Sequence, residues 1–272
     1  MKLSSKILLV MLILLVSGLL MSNIILKEEF NKIDKGDLYW NYTTVFKKPF
    51  KYIKIDGGID TRIAFEQNKN CSVRVLNDWK RDHTQLLQSL VKNDTLFIKF
   101  IYKTENPTEK NWMKATTLVR IFSPELLSVE GFNTNFGMYK LKQKNIAVNM
   151  SGKSNFEVES MIPSLDSIAV KQKDSSVVVF EMSPEYKSEK GEEPSGKKGI
   201  QVNFGDNPPP SQTGSPDIKS NESMIVHSVN ANVKGHSILD LGHAQINSMR
   251  LQIADSSAII LSGGALKKMS KL

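Results

Sequence analysis

The chain has few of the residues that bind metals or link a fold covalently. Its 272 residues include four histidines, and Cys71 is its one cysteine. A single thiol excludes an internal disulfide, so Cys71 is interpreted as a half-buried structural thiol at a strand edge. The histidines His83, His227, His236 and His243 do not have the spacing of a zinc site. The sequence therefore predicts no metal site and a fold stabilised by packing and backbone hydrogen bonds.

Motifs of the common enzyme classes are also missing from the sequence. It contains no phosphate-binding glycine loop, no nucleophile elbow and no zinc-protease helix. The formal net charge is +8, but the basic residues do not form a cluster interleaved with aromatic residues, which argues against a nucleic-acid partner. We therefore predict that the chain is not an enzyme, that it uses no cofactor, and that it has no catalytic, cofactor-binding or metal-binding residue.

The long 3.6-residue periodicity of a helical repeat is absent, but a strand-like pattern recurs in the second half. Residues 168–180 read IAVKQKDSSVVVF, and residues 249–261, MRLQIADSSAIIL, align with them without a gap. The other copies are residues 146–158, 229–241 and, more weakly, 127–139. Successive copies start about twenty residues apart, a period typical of stacked supersecondary units.

The columns of this alignment predict a strand, a corner and a second strand in each copy. Apolar pairs spaced by two place both side chains on one face of a strand. In the four clearer copies, one column between the two pairs contains glycine or aspartate, the residue types of a turn. Another contains only serine, and four serines in register favour a stacked ladder. These are Ser154, Ser176, Ser237 and Ser257. The pattern predicts an all-β fold, a right-handed parallel β-solenoid with a less regular β-rich N-terminal cap.

Residues 183–223 interrupt the repeat and are rich in proline, glycine, serine and charge. When they are set aside, the two flanking copies also lie about twenty residues apart. The segment is therefore interpreted as an insertion at one corner of the array. It is either a loop that contacts a partner or an insertion without function.

An uncharged run of residues 7–26 precedes the body of the chain. As a helix it would be about 30 Å long, the thickness of the bilayer hydrocarbon core. Lys2 and Lys6 lie before it, so the positive-inside rule places the N-terminus in the cytoplasm and the remainder outside. A cleaved signal peptide is the alternative, but the run is long for one and no small-x-small site ends it. We predict a signal anchor at 7–26, a juxtamembrane stalk at 27–48 and an exported domain at 49–272.

The front half is also β-rich, with one short helix predicted over residues 82–91. The order FKYIKIDGGIDTRIAFEQ, CSVRVL, DTLFIKF and LVRIFSPELLSVEGFNT, followed by repeated IAV…S…V units, resembles the bacterial family called "putative auto-transporter adhesin, head GIN domain". The resemblance covers residues 50–261 apart from the insertion. It implies a β-solenoid on the cell envelope and transfers no catalytic or binding residue.

A pair of carboxylates offers an enzymatic alternative. Asp174 and Asp255 occupy the same turn column two repeats apart, which would place their backbones about 10 Å from each other, near the separation in inverting glycosidases. The other interpretation is that aspartates at such corners cap backbone amides. The sequence favours a membrane-anchored, non-catalytic envelope protein of adhesin type that binds an envelope glycan or a surface protein. The alternatives are a carbohydrate-active enzyme, a carbohydrate-binding module and a signalling accessory.

Overall fold

The computed structural model describes residues 3–83, 87–101, 105–139, 141–158, 164–180, 225–242 and 244–261. The chain divides into two compact units, Met1–Thr43 and Thr44–Leu272. In the first, helix α1 (Leu3–Lys32) contains the apolar run predicted as an anchor. Within its segment Lys6–Lys32, an 18-residue window has a mean hydropathy of 2.6 and is not buried, so its length and composition fit a membrane span or a signal anchor.

The second unit consists mainly of strands. In chain order, the elements after α1 are β1 (Tyr42–Phe46), β2 (Tyr52–Asp56), β3 (Arg62–Gln67), β4 (Ser72–Leu76), α2 (Asn77–His83), β5 (Leu87–Lys92), β6 (Thr95–Phe100), α3 (Pro107–Lys114), β7 (Thr117–Ser123), β8 (Ser128–Phe132), β9 (Asn135–Tyr139), β10 (Asn145–Ser151), β11 (Asn155–Val158), β12 (Ser164–Gln172), β13 (Val177–Phe180), β14 (Ile225–Val233), β15 (Ile238–Asp240), β16 (Gln245–Ile253) and β17 (Ala258–Ile260). They form a nine-stranded sheet, β1-β4-β7-β3-β9-β11-β13-β15-β17, and an eight-stranded sheet, β16-β14-β12-β10-β8-β2-β6-β5.

The prediction of a right-handed parallel β-solenoid is wrong, because both sheets are mixed. Strand β4 pairs with β7 in the antiparallel direction, and β5 pairs with β6 in the same way. The turn between β5 and β6 explains the second case. Asn93 and Asp94 both have positive φ, 49° and 56°, the conformation of a tight turn that joins antiparallel strands. The helix predicted over 82–91 is also wrong, since α2 ends at His83 and β5 begins at Leu87.

The register predicted for the repeats is confirmed. In the eight-stranded sheet, Ile146 pairs with Ile168, Ile168 with Val229, and Val229 with Met249. In the nine-stranded sheet, the second apolar column pairs in the same order: Phe156, Val178, Leu239 and Ile259. Each repeat therefore contributes one strand to each sheet. The apolar pairs of the copies 146–158, 168–180 and 229–241 are buried, and those of the last copy are half-buried. The segment 183–223 lies outside the described residues.

The core is formed by the inward-facing side chains of both sheets and includes stacked aromatic rings. Phe136, Phe156 and Phe180 are fully buried. The ring centroids of Phe136 and Phe156 lie 5.9 Å apart with an interplanar angle of 12°, and those of Phe156 and Phe180 lie 5.8 Å apart. Such ring pairs add about 0.5–1.5 kcal/mol beyond the area they bury. Phe136 and Phe156 are register partners, whereas Phe180 pairs with Val158 and contacts Phe156 diagonally.

The serine column is a buried hydrogen-bonded row beside these corners. Ser154, Ser176 and Ser237 are 2%, 0% and 0% exposed. The Ser176 and Ser237 hydroxyl oxygens lie 3.2 Å apart, and the Ser154 hydroxyl donates to the Ser151 carbonyl oxygen over 2.6 Å. Ser257, in the last repeat, is only partly buried and donates to the Gly235 carbonyl oxygen over 2.8 Å. The row satisfies polar backbone groups that the corners would otherwise leave unpaired.

The turn column adopts the left-handed backbone conformation at four successive corners. The φ angles are 49° at Asn133, 68° at Gly152, 68° at Asp174 and 70° at Gly235. Glycine accepts this region without cost, and asparagine and aspartate tolerate it better than other residues. The residue types at these four corners are therefore explained by the backbone that each corner requires, whereas Asp255 in the last copy does not have a positive φ.

Candidate functional site

The outer face of the eight-stranded sheet carries rows of side chains that cross the strands in strict register. One row runs from β5 to β16 through Leu90, Phe97, Lys54, Glu130, Asn149, Lys171, Asn232 and Gln252. Because side chains alternate between the two faces of a strand, these residues point away from the core. The row is apolar at its β5 end and polar at its β16 end, and each end contains a cavity.

The first cavity, here called the apolar groove, has a volume of about 540 Å³ and lies over β5, β6, β2, β8 and β10. Leu90, Phe97 and Phe132 line it. These three side chains are 53%, 36% and 49% exposed. Pockets for small ligands commonly measure about 300–1,000 Å³ and are mostly apolar with a few polar groups. The groove therefore has the size and chemistry of a ligand pocket.

Charged side chains surround the apolar groove. The Lys54 ammonium lies 2.8 Å from the Glu130 carboxylate, and the Lys99 ammonium lies 3.8 Å from Asp56. All four side chains are about half exposed, so each pair contributes little to stability. Lys92, at the end of β5, also lines the groove. The rim is polar around an apolar floor, the arrangement found at binding patches.

The second cavity, here called the polar trough, has a volume of about 430 Å³ and lies over β8, β10, β12, β14 and β16. Its lining includes two small residues that face outward, Ala147 and Ala169. Their size leaves room between taller neighbours. The polar residues of the lining are Ser128, Asn149, Lys171, Asn230, Asn232, Arg250 and Gln252. The charged and amide side chains among the described lining residues are thus cations and amides, without an aspartate or glutamate.

The two carboxylates of the enzymatic alternative lie in the turns after β12 and β16. Asp174 accepts a hydrogen bond of 2.9 Å from the Gly152 amide, and its own carbonyl oxygen accepts one of 2.6 Å from the His236 amide. Asp255 is exposed in its turn, and Gly235 occupies the corner between them. The Asp174 carboxylate therefore caps a backbone amide, as the second interpretation of these aspartates expects.

The remaining residues that the sequence singled out do not come together. Cys71 is half-buried, with its sulfur 3.5 Å from the Ser123 hydroxyl oxygen. His227 lies in β14, where its Nδ1 is 2.8 Å from the Asn247 amide nitrogen. His236 lies at a corner, and His243 falls outside the described residues. In the part of the chain that the structure describes, no three His, Cys, Asp or Glu side chains are grouped so as to hold a metal ion.

Neither cavity was found from the sequence, although the repeat alignment contained a signal for the polar trough. The columns between the apolar positions hold Ala147, Ala169, Asn230 and Arg250, and then Asn149, Lys171, Asn232 and Gln252. The residues in these columns face outward, and their side-chain amides are not typical of an ordinary solvated strand. The apolar groove gave no such signal because most of its residues come from β2, β5 and β6, which lie outside the repeats.

No protein-family model matches the chain, and no curated relative matches it. Solved structures from Bacteroidales are similar to it at low identity. A "putative adhesin" from Bacteroides fragilis is 14% identical, covers 81% of this chain and 96% of its own, and has a TM-score of 0.43. A "putative lipid binding protein" from Parabacteroides distasonis is 13% identical over 82% and 94%, with a TM-score of 0.33. A "putative adhesin" from Parabacteroides merdae is 11% identical over 81% and 95%, with a TM-score of 0.35. Because these scores are low, the likeness carries no argument about function.

Proposed function

We propose that the chain is a non-catalytic binding protein of adhesin type, held at the bacterial cell envelope by its N-terminal helix. In this proposal residues 7–26 span the membrane as an uncleaved signal anchor with the N-terminus in the cytoplasm. Residues 27–48 form the stalk, and residues 49–272 form the exported binding domain. The apolar, exposed helix α1 and the two lysines before the apolar run support this topology. Membership of the head GIN domain family rests on the sequence resemblance alone.

The apolar groove is the observation that carries the binding role. Three large side chains, Leu90, Phe97 and Phe132, stay exposed on one face of a sheet whose inward face is fully packed. Exposed apolar patches with polar rims mark interaction sites. The groove lies on β-strands, whose paired backbones keep its walls in place without a ligand. We propose that it takes an apolar ring or chain that belongs to a molecule of the cell surface.

The arrangement of the carboxylates supports the non-catalytic part of the proposal. A general acid needs a proton to donate and a base needs a free lone pair directed at substrate. The Asp174 carboxylate is instead bonded to the Gly152 amide, within the corner that it stabilises. Incubation of the full chain with a panel of envelope glycans should therefore release no product. A product that disappears in the Asp174→Asn/Asp255→Asn variant would show that the chain is an enzyme.

The binding role can be tested with the full chain in nanodiscs and an aromatic probe, anilinonaphthalene sulfonate. Titration is followed by probe fluorescence, with empty nanodiscs subtracted. Leu90→Gln/Phe132→Gln removes two exposed apolar side chains and leaves the core intact. We expect this variant to bind the probe about tenfold more weakly, because two half-exposed apolar side chains contribute about 1.5 kcal/mol of burial.

A matched control variant removes two exposed apolar side chains from the nine-stranded sheet. Ile238 and Ile260 are 37% and 50% exposed on the nine-stranded sheet, so Ile238→Gln/Ile260→Gln should leave probe affinity unchanged. Thermal unfolding of both variants should match that of the original chain. If the two variants lose affinity equally, or neither loses it, the apolar groove is not the binding site.

A further inference from the structure

We propose that the polar trough binds an anionic polysaccharide through its amides and two cations. This inference rests on the proposed function, since it names a ligand class for the same outer face. The trough differs from the apolar groove in chemistry and lies over different strands, so the two sites can be tested separately. Nothing in the sequence resemblance assigns a ligand to it.

The two cations of the trough are available to a ligand. Among the residues that the structure describes, Lys171 and Arg250 form no ion pair, whereas Lys54 and Lys99 beside the apolar groove are both paired. Among the described residues that line the trough there is no aspartate or glutamate. Lys171 and Arg250 are both exposed, so a ligand can reach their charges. The trough therefore attracts anions.

The distance between these cations suits an extended ligand. Lys171 pairs with Asn232, and Arg250 pairs with Asn230, which pairs with Ala169. The two cations are thus two strands apart and two residues apart along the strand. With strands about 4.8 Å apart and a rise of about 3.3 Å per residue, their Cα atoms are separated by about 12 Å. An extended molecule with repeated negative groups can contact both cations without either side chain bending toward the other.

The amides of the trough can bind hydroxyl groups of a ligand, in addition to the anions that the cations bind. The Asn232 side chain donates to Gln252 Oε1 over 2.9 Å, and this bond fixes its orientation. Its Oδ1 is buried, so a ligand cannot reach it. The side chains of Asn149 and Asn230 are exposed in the lining, and their oxygens can accept hydrogen bonds from a ligand. Phosphates and carboxylates cannot donate, whereas the hydroxyl groups of a sugar can.

The residues that line the trough also favour a polysaccharide over a nucleic acid as the ligand. Single-stranded nucleic acids bind to grooves with aromatic side chains on which the bases stack. Among the described residues that line the trough none is aromatic, and Ala147 and Ala169 are small. Amide side chains both donate and accept hydrogen bonds, which suits hydroxyl groups. A sugar chain that carries carboxylates can bind the exposed amides and both cations together.

The test uses the full chain in uncharged phosphatidylcholine nanodiscs and a galacturonic acid hexamer as the probe. Isothermal titration should show binding that weakens as salt is added, since exposed charges are screened. Lys171→Gln/Arg250→Gln should lower the affinity about tenfold, because each exposed charge pair contributes modestly. Lys69→Gln/Lys142→Gln removes two exposed cations from the loops after β3 and β9 and should leave the affinity unchanged.

Two further probes separate the parts of the inference. Maltohexaose, which has hydroxyl groups but no charge, should bind more weakly than the acidic hexamer. Polyphosphate of similar length, which has charge but no hydroxyl donors, should also bind more weakly. Equal binding of polyphosphate would make the trough a general anion site, and equal binding of maltohexaose would remove the role of the cations. Either result overturns the proposal, and so does the absence of hexamer binding.

The test of the polar trough can fail independently of the test of the apolar groove. If the hexamer does not bind while Leu90→Gln/Phe132→Gln still weakens the aromatic probe, the inference about the trough is wrong and the proposed binding role stands. If the aromatic probe is insensitive to that variant but the hexamer depends on Lys171 and Arg250, the binding role belongs to the trough and not to the apolar groove.

Discussion

Replacement of Gly235 by alanine tests whether the corners fix the stacking of the repeats. A Cβ atom at Gly235 would lie 2.5 Å from the Asp174 carbonyl oxygen, 2.8 Å from its nitrogen and 3.0 Å from its Cα. All three are backbone atoms, and the same carbonyl oxygen accepts the His236 amide over 2.6 Å. The neighbouring corner therefore cannot move aside without breaking a hydrogen bond between repeats.

The cost has three parts. Alanine at a φ of 70° loses about 1–2 kcal/mol relative to glycine. The displaced hydrogen bond costs about 1 kcal/mol, and forced overlap in a packed region costs about 1–3 kcal/mol. We expect Gly235→Ala to lower the free energy of unfolding by about 4 kcal/mol and the unfolding temperature by about 10 °C.

Gly152→Ala is the matched control because its φ is 68°. The Cβ atom there would meet the Asn133 side chain, whose end can rotate away with the loss of its 2.9 Å bond from the Lys153 amide. We expect about 2 kcal/mol for this variant. Unfolding of the full chain in nanodiscs can be followed by the fluorescence of Trp79, which is 2% exposed. If Gly235→Ala destabilises the chain no more than Gly152→Ala, backbone contact between corners does not fix the repeats.

Two further predictions concern the serine column and the anchor. Ser176→Ala should destabilise the chain by about 1–3 kcal/mol, because it removes the hydrogen bonds that its hydroxyl makes with Ser237 and the Lys173 carbonyl oxygen. Ser257→Ala, at the partly buried end of the column, should cost less. Equal losses of stability in thermal unfolding would contradict a stabilising role for the buried serine row. Deletion of residues 7–26 should move the chain from the carbonate-resistant membrane fraction to the soluble fraction, and retention in the membrane would show that another part of the chain binds lipid.

The repeat register was predictable from the sequence because each repeat obeys a local rule. Apolar residues two apart, a serine and a turn residue recur at fixed positions, and parallel strands in register place equivalent residues side by side. The first copy has one residue fewer between its two apolar positions, since Leu127 matches Ile146 but Phe136 matches Phe156. Thr134, rather than Asn135, therefore lies opposite Ser154, and the Thr134 backbone amide donates to the Ser154 hydroxyl.

The front half could not be predicted in this way. Its strands β2 and β3 pair with strands far apart in sequence, β8 and β9, so no local pattern announces their partners. The antiparallel pairing of β5 with β6 depends on two residues, Asn93 and Asp94, whose turn conformation is visible only from their φ angles. The solenoid prediction was wrong because it applied the regular pattern of the second half of the chain to this irregular first half.

The two cavities were missed for a different physical reason. Sequence reasoning followed the apolar columns, which decide the core, and treated the outward columns as solvated surface. A binding surface arises where outward residues from several strands combine, and this needs the order of strands in the sheet. For the apolar groove that order brings Leu90, Phe97 and Phe132 together from β5, β6 and β8.

The join between β13 and β14 has a consequence for how this molecule can vary. Strand β13 ends at Phe180 and β14 begins at Ile225, yet Ile168 and Val229 remain in register across the intervening residues. The entropy of closing a connection grows slowly with its length, by about 0.6 kcal/mol for each doubling. Chain length at this corner is therefore nearly neutral for the sheets, and a reporter domain or epitope could be grafted there while both faces of the scaffold keep their geometry.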